Sequence, residues 1–456
     1  MIQTARCVLA LWAGKCLLWL LPTFKLGQGT TVPGRVARLL APRLLSWLGQ
    51  QAPQHTLIIT GTNGKTTTAG VLVSILKAAN WHVACNPLGA NMLNGIATGL
   101  IRSASLFGNL NHLKKRLSQP TAWVLEVDEA NVRLLATEMP IRYALVTNLF
   151  RDQLDRFGEL DTTAAWIRQG LERCQLSEGQ LFLNASDDRV AALASVTDST
   201  HVTGYTVLPL ADTASPPDLL TLIPSRFEQA KPVSINDSLN PSKLFALNKA
   251  FQIDSHAGLG FTGHWVGSGE SFSIPLAGTF NVWNAIAAAT VAQQWGVSAE
   301  AIQQGLHQYQ GVFGRADTRT LHGQTVQIFL IKNPMGTQEV LRGVVATQPA
   351  VVLLALNDND ADGRDVSWIW DAPFEWLTTL PPATHVVCSG QRAEDMALRL
   401  HTIGLKKLTV ELNLQKAVEQ ALALNTDSGK PLIMLPTYTA LTTLDQQVLP
   451  AFSSNP

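Results

Sequence analysis

A glycine-rich segment between an apolar strand pattern and a helical pattern is the feature that most constrains how this chain folds. Residues 55–60 read His-Thr-Leu-Ile-Ile-Thr, residues 61–66 read Gly-Thr-Asn-Gly-Lys-Thr, and a helical pattern runs from Thr66 to Ala79. Glycine lets a backbone curl around an anion without a Cβ clash, and a helix start offers unpaired N–H groups. The segment therefore predicts a phosphate-binding loop between a strand and a helix.

Lys65 and Thr66 carry the chemistry expected of such a loop. We expect Lys65 to place its charge on the β- and γ-phosphates of ATP, and Thr66 to bind Mg²⁺. The loop departs from the GxxxxGK[ST] consensus because Ile59 stands where the first glycine would be. Its position between strand and helix supports the site in spite of that departure. The other nucleotide contacts are expected from Gly61, Thr62, Asn63, Gly64 and Thr67.

Strand and helix patterns alternate along two stretches of the chain, which indicates parallel sheets with helices on both faces. Around the loop, further strands are expected at 81–85, 123–127 and 143–147. In the second stretch, strands are expected at 325–331, 350–356, 384–388, 408–411 and 431–435, and helices at 337–347, 393–403 and 414–424.

Three parts follow from these patterns. We predict an N-terminal helical segment over 1–54, a central ATP-binding domain over 55–314 and a smaller α/β domain over 315–456, with the boundary near Gly314. Residues 205–270 are rich in Pro, Ser and Asp and show weak periodicity, so they are interpreted as an insertion of short strands and loops.

Composition narrows the function classes. Lys+Arg and Asp+Glu each number 34, and this balance argues against a nucleic-acid-binding protein with a broad basic surface. The five cysteines form no CxxC pair, so neither a zinc ribbon nor a disulfide framework is indicated. They are Cys7, Cys16, Cys85, Cys174 and Cys388.

The apolar run from Val8 to Leu21 raises the question of a signal peptide or a membrane span. Lys15 interrupts it, no small-residue cleavage site follows, and the uninterrupted stretches are shorter than the ~20 residues a span needs. We expect no transmembrane span. A helix packed on the body or lying on a membrane surface is predicted, in a cytoplasmic protein that could contact the inner face of the plasma membrane.

The segment Gly61–Thr68 resembles the ATP loop of the Mur ligases and folylpolyglutamate synthases. These enzymes phosphorylate a carboxylate and then let an amine attack the acyl phosphate. The resemblance implies a Mur ligase-like P-loop ATPase domain with a parallel sheet, followed by a Rossmann-like α/β domain. It also implies ATP and Mg²⁺ as cofactors, with Glu126 facing the metal. An ordinary solvated acidic turn is the alternative for Glu126, and it carries more weight for Asp128 and Glu129 than for Glu126.

Three further segments extend this resemblance. Residues 147–158 resemble the Mur motif TNxxxDHLDxxG, but Gln153 replaces a histidine that helps hold a second metal, and glutamine is a far weaker ligand. Residues 278–288 resemble the adenine-binding helix start, where Asn284 would pair with the adenine edge. Gly314-Arg315 resembles the family's interdomain Gly-Arg, in which Arg315 would reach the ATP phosphates.

The last third of the chain is similar to the MurT family, the Mur ligase-like subunits of lipid II isoglutaminyl synthase. Residues 331–336 lack the DDYAHNP-like segment of amino-acid-adding Mur ligases, and residues 356–371 look like MurT. MurT proteins commonly carry four zinc-binding cysteines in the region of the 205–270 insertion. This chain has none there and would be a variant without the zinc ribbon.

MurT similarity implies a division of labour between two proteins. GatD, a class I glutamine amidotransferase, releases ammonia from glutamine. MurT activates the α-carboxylate of D-glutamate in the peptidoglycan stem of lipid II, and ammonia converts it to D-isoglutamine. By motif match, Asp365 would complete the glutaminase triad across the interface of this heterodimer. Two alternatives remain open: Asp365 caps only its own turn, or the chain is a free-standing amino-acid ligase.

Overall fold

The computed structural model describes residues 2–24, 29–86, 89–106, 119–149, 160–208, 247–257, 260–276, 279–309 and 315–452. The helices are α1 (Ile2–Thr23), α2 (Val32–Leu40), α3 (Leu44–Gly49), α4 (Lys65–Ala78), α5 (Leu93–Ser103), α6 (Val132–Glu138), α7 (Leu160–Leu171), α8 (Asp188–Ala191), α9 (Thr279–Gln294), α10 (Ala299–Gln308), α11 (Pro334–Thr347), α12 (Ala393–Thr402), α13 (Leu414–Asn425) and α14 (Tyr438–Thr443).

The strands form two sheets. The first sheet contains β1 (His55–Thr60), β2 (His82–Cys85), β3 (Thr121–Glu126), β4 (Tyr143–Val146), β5 (Gln180–Asn184), β6 (Val202–Leu208), β7 (Leu247–Ala257), β8 (Gly260–Trp265) and β9 (Ser271–Ile274). The second contains β10 (Arg315–Leu321), β11 (Gln324–Phe329), β12 (Val351–Ala355), β13 (His385–Ser389), β14 (Leu408–Val410) and β15 (Leu432–Pro436).

The first sheet has the strand order β2-β3-β1-β4-β5-β6-β7-β8-β9. Its pairs are parallel from β2 to β7 and antiparallel from β7 to β9. Successive residues of a strand face opposite sides of the sheet. Ile58 accordingly packs in the core under α1, α5 and α6, whereas Leu57 and Ile59 pack against α4, α9 and α10. Both faces are covered, so β1 is buried along nearly its whole length, including Thr56 and Thr60.

The interpretation of 205–270 as an insertion of short strands and loops is wrong for the residues that the structure describes. β7 is an 11-residue strand that pairs with β6 and β8 and so extends the first sheet. Phe251 and Ile253 are buried, while Gln252 is half-buried and Asp254 exposed. This two-residue alternation is the signal that the Pro and Ser content obscured. Residues 209–246 lie outside the described residues.

The second sheet has the strand order β10-β11-β15-β12-β13-β14. All of its pairs are parallel except β10 with β11. The five strands and three helices expected here are confirmed within a few residues at each end. β10 was not expected, because its sequence Arg-Ala-Asp-Thr-Arg-Thr-Leu carries little apolar signal for an edge strand. The α/β fold class is confirmed, while the three-part domain division stays a prediction, since Gly314 lies outside the described residues.

α1 packs one face on the body of the protein. Cys7, Ala10 and Leu11 are buried in the core shared with α2, α3 and α5, which confirms the expected docking. Lys15 interrupts the apolar run but not the helix, because α1 continues through Lys15 for 22 residues. By length and composition alone, Gln3–Thr23 could cross a membrane, although soluble core helices and signal sequences meet the same criterion.

Parallel strands bring their carboxyl ends to one edge of a sheet, where ligands bind in folds of this type. In the first sheet, this edge gathers the loop after β1, Glu126 at the end of β3 and Thr147 after β4. In the second sheet, the same edge gathers the segment after β12, Gly390 after β13 and Thr437 after β15.

Candidate functional site

The phosphate loop (residues 61–66) has a backbone that only glycine fits easily. Gly61 has a φ of +120° and Gly64 a φ of +84°, both in the region that side chains rarely adopt. A Cβ atom on Gly64 would collide with the side chain of Asn284, and one on Gly61 with Thr147 and Asn148. α4 begins immediately after Gly64, so the N–H groups of its first turn open onto the loop. This geometry suits a phosphate group.

Lys65 is held inside the loop by an ion pair. Its Nζ lies 2.8 Å from Glu129 Oε1, and the two side chains are only 10% and 7% exposed. The same ammonium group donates to the carbonyl of Thr62 at 3.2 Å and to that of Gly61. Lys65 therefore sits where a phosphate would meet it, with its charge balanced by Glu129.

Glu126 and Thr66 are brought together as the sequence predicted. Thr66 Oγ1 donates to Glu126 Oε1 at 2.8 Å, and both residues are buried. Asn86 fixes the backbone of Glu126 by accepting from its N–H at 2.9 Å and donating to its carbonyl at 3.0 Å. Mg²⁺ prefers oxygen ligands and is commonly held by one or two carboxylates together with substrate phosphates. A hydroxyl and a carboxylate beside a phosphate loop fit that preference.

The interpretation of Asp128 and Glu129 as a solvated turn is wrong. Both residues are 5% exposed. Asp128 accepts from Ala130 N at 3.3 Å and caps the 3₁₀ turn Glu129–Asn131, which carries the Glu129 carboxylate to Lys65. A buried carboxylate usually requires a charged partner, and Lys65 is that partner. No local pattern predicts this pairing, because the two residues are 64 positions apart.

Thr147 and Asn148 brace the phosphate loop from the neighbouring strand. Thr147 Oγ1 donates to the carbonyl of Asn63 at 2.7 Å, and Asn148 Oδ1 accepts from Asn63 N at 2.8 Å. The backbone N–H of Thr62 donates to the carbonyl of Asn148 at 2.9 Å. The Thr-Asn pair of the motif thus fixes the loop's shape. Gln153 and the rest of that motif lie outside the described residues.

Asp187 is a structural support that the sequence reasoning missed. Its carboxylate accepts from Leu149 N at 2.8 Å and caps α8 through Arg189 N and Val190 N. Burial raises the pKa of Asp187, although these backbone donors oppose that shift. Asp187 therefore anchors the chain just after Thr147 and Asn148.

Asn284 lies against the phosphate loop. Its Oδ1 accepts from Thr68 Oγ1 at 3.3 Å, and its Nδ2 donates to Asn281 Oδ1 at 3.3 Å. The assignment of Asn284 to the adenine edge stays a prediction. Arg315 is the first residue of β10, and its side chain lies outside what the structure describes. Thr62 and Thr67 are each 4% exposed and belong to the same buried loop and helix start.

One polar contact connects the second sheet with the phosphate loop. Asn333 Nδ2 donates to Asn63 Oδ1 at 3.3 Å, while Asn333 Oδ1 caps α11 by accepting from Gly336 N at 2.7 Å. Asn333 is fully buried. It lies in residues 331–336, the segment that lacks the DDYAHNP-like sequence of amino-acid-adding Mur ligases. No role was expected for it from the sequence.

The segment after β12 (residues 356–371, the β12 segment) is organised around one buried carboxylate. Asp362 is 4% exposed and accepts from Thr439 N at 2.7 Å, from Thr439 Oγ1 and from Asn359 N at 3.2 Å. Asn357 donates to the same threonine at 2.9 Å. Thr439 follows β15, so this network fixes the segment to the neighbouring strand.

Asp365 projects from the β12 segment into solvent. Its Oδ1 accepts from Ser367 N at 2.8 Å, which is the turn-capping contact that one alternative predicted. Hydrogen bonds from the side chain and the backbone of Ser367 hold the pKa of Asp365 below its ordinary value. The group is an exposed, ionised carboxylate. Close by, an open cavity of about 430 Å³ is lined by Asp358, Asn359, Asp360, Ala361 and Arg364.

Among the residues that the structure describes, no group of three or more His, Cys, Asp or Glu side chains is arranged to hold a metal ion. Any divalent cation at the phosphate loop would therefore need oxygen ligands from the nucleotide in addition to Thr66 and Glu126. This requirement is ordinary for Mg²⁺, which keeps several water or phosphate ligands.

Comparison with known proteins matches both sheets to one group of enzymes. The description "Mur ligase middle domain" matches residues 59–214, and "MurT ligase C-terminal" matches residues 330–441. Over both sheets, this chain is similar to the MurT family of Mur ligase-like enzymes. It is 29% identical to the protein named lipid II isoglutaminyl synthase (glutamine-hydrolyzing) subunit MurT of Streptococcus pneumoniae, over 96% of this chain and 95% of the relative. The Staphylococcus aureus COL protein of the same name is also 29% identical, over 93% and 94%.

Solved structures of Mur ligase-like enzymes share the fold of this chain. MurF from Acinetobacter baumannii has a TM-score of 0.62 at 20% identity, covering 90% of this chain and 79% of that one. Folylpolyglutamate synthase from Mycobacterium tuberculosis, solved with ADP and AMPPCP, has a TM-score of 0.58 at 17% identity, covering 91% and 94%. The MurT C-terminal match includes Asn333, Asp362 and Asp365.

Proposed function

We propose that this chain uses ATP to amidate the α-carboxylate of D-glutamate in the stem peptide of lipid II, producing D-isoglutamine. The ammonia comes from a GatD-like class I glutamine amidotransferase that binds as a heterodimer partner. The observation that carries the proposal is the similarity, over more than nine-tenths of both chains, to proteins named as the MurT subunit of a glutamine-hydrolysing lipid II isoglutaminyl synthase.

The phosphate loop suits the first chemical step. A carboxylate is a poor electrophile, and transfer of the γ-phosphoryl group from ATP converts it to an acyl phosphate and releases ADP. Catalysis of such transfers rests on positioning and on charge stabilisation. The N–H groups at the start of α4 and the ammonium group of Lys65 would bind the phosphate oxygens. When a nucleotide binds, the ammonium group of Lys65 would leave its ion pair with Glu129 and pair with a phosphate oxygen instead.

Mg²⁺, when bound together with ATP, would supply neutralising charge on the phosphates. Thr66 and Glu126 are the residues proposed to hold it, since their oxygens already lie together beside the loop. Asn86 keeps Glu126 in place through two backbone hydrogen bonds. Gly61, Thr62, Asn63, Gly64 and Thr67 are proposed to contact the nucleotide, with Asn284 at the adenine and Arg315 at the phosphates.

In the second step, ammonia attacks the acyl carbon, the bond from that carbon to the phosphate oxygen breaks, and an amide forms. The proton that ammonia loses goes to the departing phosphate, which leaves as hydrogen phosphate. Ammonia must be supplied, and a glutaminase supplies it with a cysteine nucleophile, a histidine base and an acid that orients the histidine. We assign the acid to Asp365. Its exposure and lowered pKa leave an ionised carboxylate accessible to a partner's histidine.

A reconstituted assay tests this function against the free-standing ligase. The chain is incubated with ATP, Mg²⁺ and lipid II, together with ammonium chloride, with glutamine plus a co-expressed GatD-like protein, or with single amino acids. Mass spectrometry of the stem peptide should show conversion of one carboxyl group to an amide in the first two mixtures. Incorporation of an amino acid by the chain alone would establish the alternative and refute the amidation.

We propose that the reaction takes place in the cytoplasm, where ATP and glutamine are available. The substrate could be lipid II or a soluble precursor with the same stem peptide. Competition between the two substrates in the reconstituted assay distinguishes them, because the preferred one suppresses amidation of the other.

A further inference from the structure

The outward face of α1 is apolar. Leu9, Trp12 and Trp19 are 62%, 45% and 65% exposed, and with Cys16 they follow the three- and four-residue spacing of one helix face. The opposite face buries Cys7 and Leu11 in the protein core. A surface helix normally presents polar residues to solvent, so the outward face of α1 needs a partner.

Neighbouring segments extend this apolar surface on both sides of α1. Trp12 Nε1 donates to the carbonyl of Leu106 at 2.6 Å, and Leu106 is 63% exposed. Across the helix, Arg6 Nε donates to the carbonyl of Leu40 at 2.6 Å, where Leu39 is 72% exposed. We call the surface formed by Leu9, Trp12, Cys16, Trp19, Leu39, Leu40 and Leu106 the α1 face. Contiguous exposed apolar surface of this kind indicates a binding site for a protein or a membrane.

The charge around the α1 face decides between those partners. Residues 1–125 contain 12 Lys and Arg but no Asp or Glu, so all 34 acidic residues of the chain follow Leu125. The balanced total therefore conceals a strongly basic first quarter. Arg6 and Lys15 lie on α1, Arg35 lies on α2, and Arg43 lies just before α3. The three arginines are exposed and Lys15 is half-buried. A surface that is apolar in the centre and basic around it matches an anionic lipid surface.

We propose that the α1 face docks on an anionic membrane surface, with α1 lying in the plane of the headgroups. Tryptophan is suited to that position because its ring is apolar and its N–H is polar. The basic side chains would contact the lipid phosphates. α1 does not need to leave the protein for this contact, since Cys7 and Leu11 stay packed in the core. The proposal is independent of the amidation reaction and does not require it.

Vesicle flotation tests this surface with the full chain, alone and in complex with a GatD-like partner. One set of vesicles is phosphatidylcholine, and the other is an equal mixture with phosphatidylglycerol. We expect at least about tenfold stronger binding to the anionic vesicles, because several basic residues each contribute to attraction. Binding should weaken as salt is raised. The double variant Leu9→Glu/Trp19→Glu should lose at least about tenfold in binding, because a charge opposes burial of each site.

The double variant Leu398→Glu/Leu424→Glu is the matched control, since it adds the same charge at two exposed leucines (56% and 46%) on α12 and α13, away from α1 and from the β12 segment. It should bind vesicles like the unchanged chain. Circular dichroism and ATP binding report whether each variant is folded. Arg35→Gln/Arg43→Gln gives a second measurement on an unaltered α1, and it should reduce binding to anionic vesicles alone.

The proposal would be overturned by absent flotation, by equal flotation on both vesicle types, or by equal losses for Leu398→Glu/Leu424→Glu and the α1 variant. Resistance to alkaline carbonate extraction would mean that α1 crosses the bilayer, and would overturn it too. Dimerisation in sedimentation velocity that disappears with Leu9→Glu/Trp19→Glu, without vesicle binding, would assign the α1 face to a second copy of the chain and would also overturn it.

Discussion

Two acidic segments of this protein occupy equivalent places in the two sheets, yet their environments are opposite. Glu126, Asp128 and Glu129 follow β3 and are all buried. In the β12 segment, Asp360 and Asp365 are exposed, and only Asp362 among the carboxylates is buried. Both segments lie at the carboxyl ends of parallel strands, where this type of fold binds ligands.

The difference lies in what each carboxylate has as a partner. After β3, the carboxylates bond to Thr66 and Lys65 of the same chain, so they can act on a ligand held by the phosphate loop. After β12, Asp362 fixes the segment through Thr439, which leaves Asp365 free to meet another molecule. Under the proposed function, the first segment serves chemistry within this chain and the second meets a partner protein. The predictions below test that contrast.

Lys65→Ala should have the largest effect. Removing the cation from the phosphate loop takes away charge stabilisation of the transferring phosphoryl group, for which losses of about 10²- to 10³-fold are typical. We expect amidation to fall by about 10³-fold with ammonia and with glutamine alike, measured as amide formed per minute. A variant with unchanged turnover would exclude ATP chemistry at this loop.

Glu129→Ala should lower stability more than any change at an exposed acid. It leaves the buried ammonium group of Lys65 without its carboxylate, and breaking a buried pair costs about 3–5 kcal/mol. We expect the lower value of about 3 kcal/mol from urea unfolding, because the carbonyls of Gly61 and Thr62 still accept from Lys65. Asp360→Ala, in the exposed pair with Arg364, is the control and should leave the urea midpoint unchanged.

Asp365→Asn should separate the two nitrogen sources. Loss of the carboxylate that orients the partner's histidine should reduce glutamine-driven amidation by about 10²-fold, the lower end of general acid–base contributions. Amidation driven by added ammonia should stay within about twofold of the unchanged protein, since the phosphate loop is intact. Asp360→Asn, in the same segment, should affect neither assay. Equal loss with both nitrogen sources would rule out the triad role and leave Asp365 as a turn cap.

Asp362→Ala should cause the smallest loss, about 2 kcal/mol of unfolding free energy, because it removes several hydrogen bonds to one buried carboxylate. Its effect on glutamine-driven amidation should exceed its effect on ammonia-driven amidation, since the segment that carries Asp365 would lose its anchor to Thr439. A change confined to ammonia-driven turnover would contradict the division between the two segments.

Much of this architecture follows from local sequence. The apolar runs and the glycine loop predicted β1, α4 and most strands of the second sheet, because buried parallel strands have a strong apolar signal. β5, β6 and β10 were missed and β7 was misinterpreted, since their apolar residues form short runs or are mixed with polar ones. The pairing of Lys65 with Glu129 and of Asn333 with Asn63 could not be predicted, because each joins residues at least 64 positions apart.

The exposure of α1 was also beyond the sequence argument. Lys15 interrupts the apolar run, but the helix continues through it, and Leu9, Trp12 and Trp19 on its outward side are exposed. The net charge of zero did not indicate that all acidic residues lie after the first 125 positions. The charge of each part of a chain is therefore more informative than the net charge of the whole.

The ion pair between Lys65 and Glu129 affects how readily the phosphate loop releases one nucleotide and binds the next. A nucleotide that attracts Lys65 must separate it from a carboxylate 2.8 Å away, and that carboxylate draws the lysine back when the nucleotide departs. Glu129 is thus a competitor for the phosphates inside the fold itself. Such a competitor favours rapid release of spent ADP over the tightest grip on nucleotide, which suits an enzyme that discharges one ADP for every amide it makes.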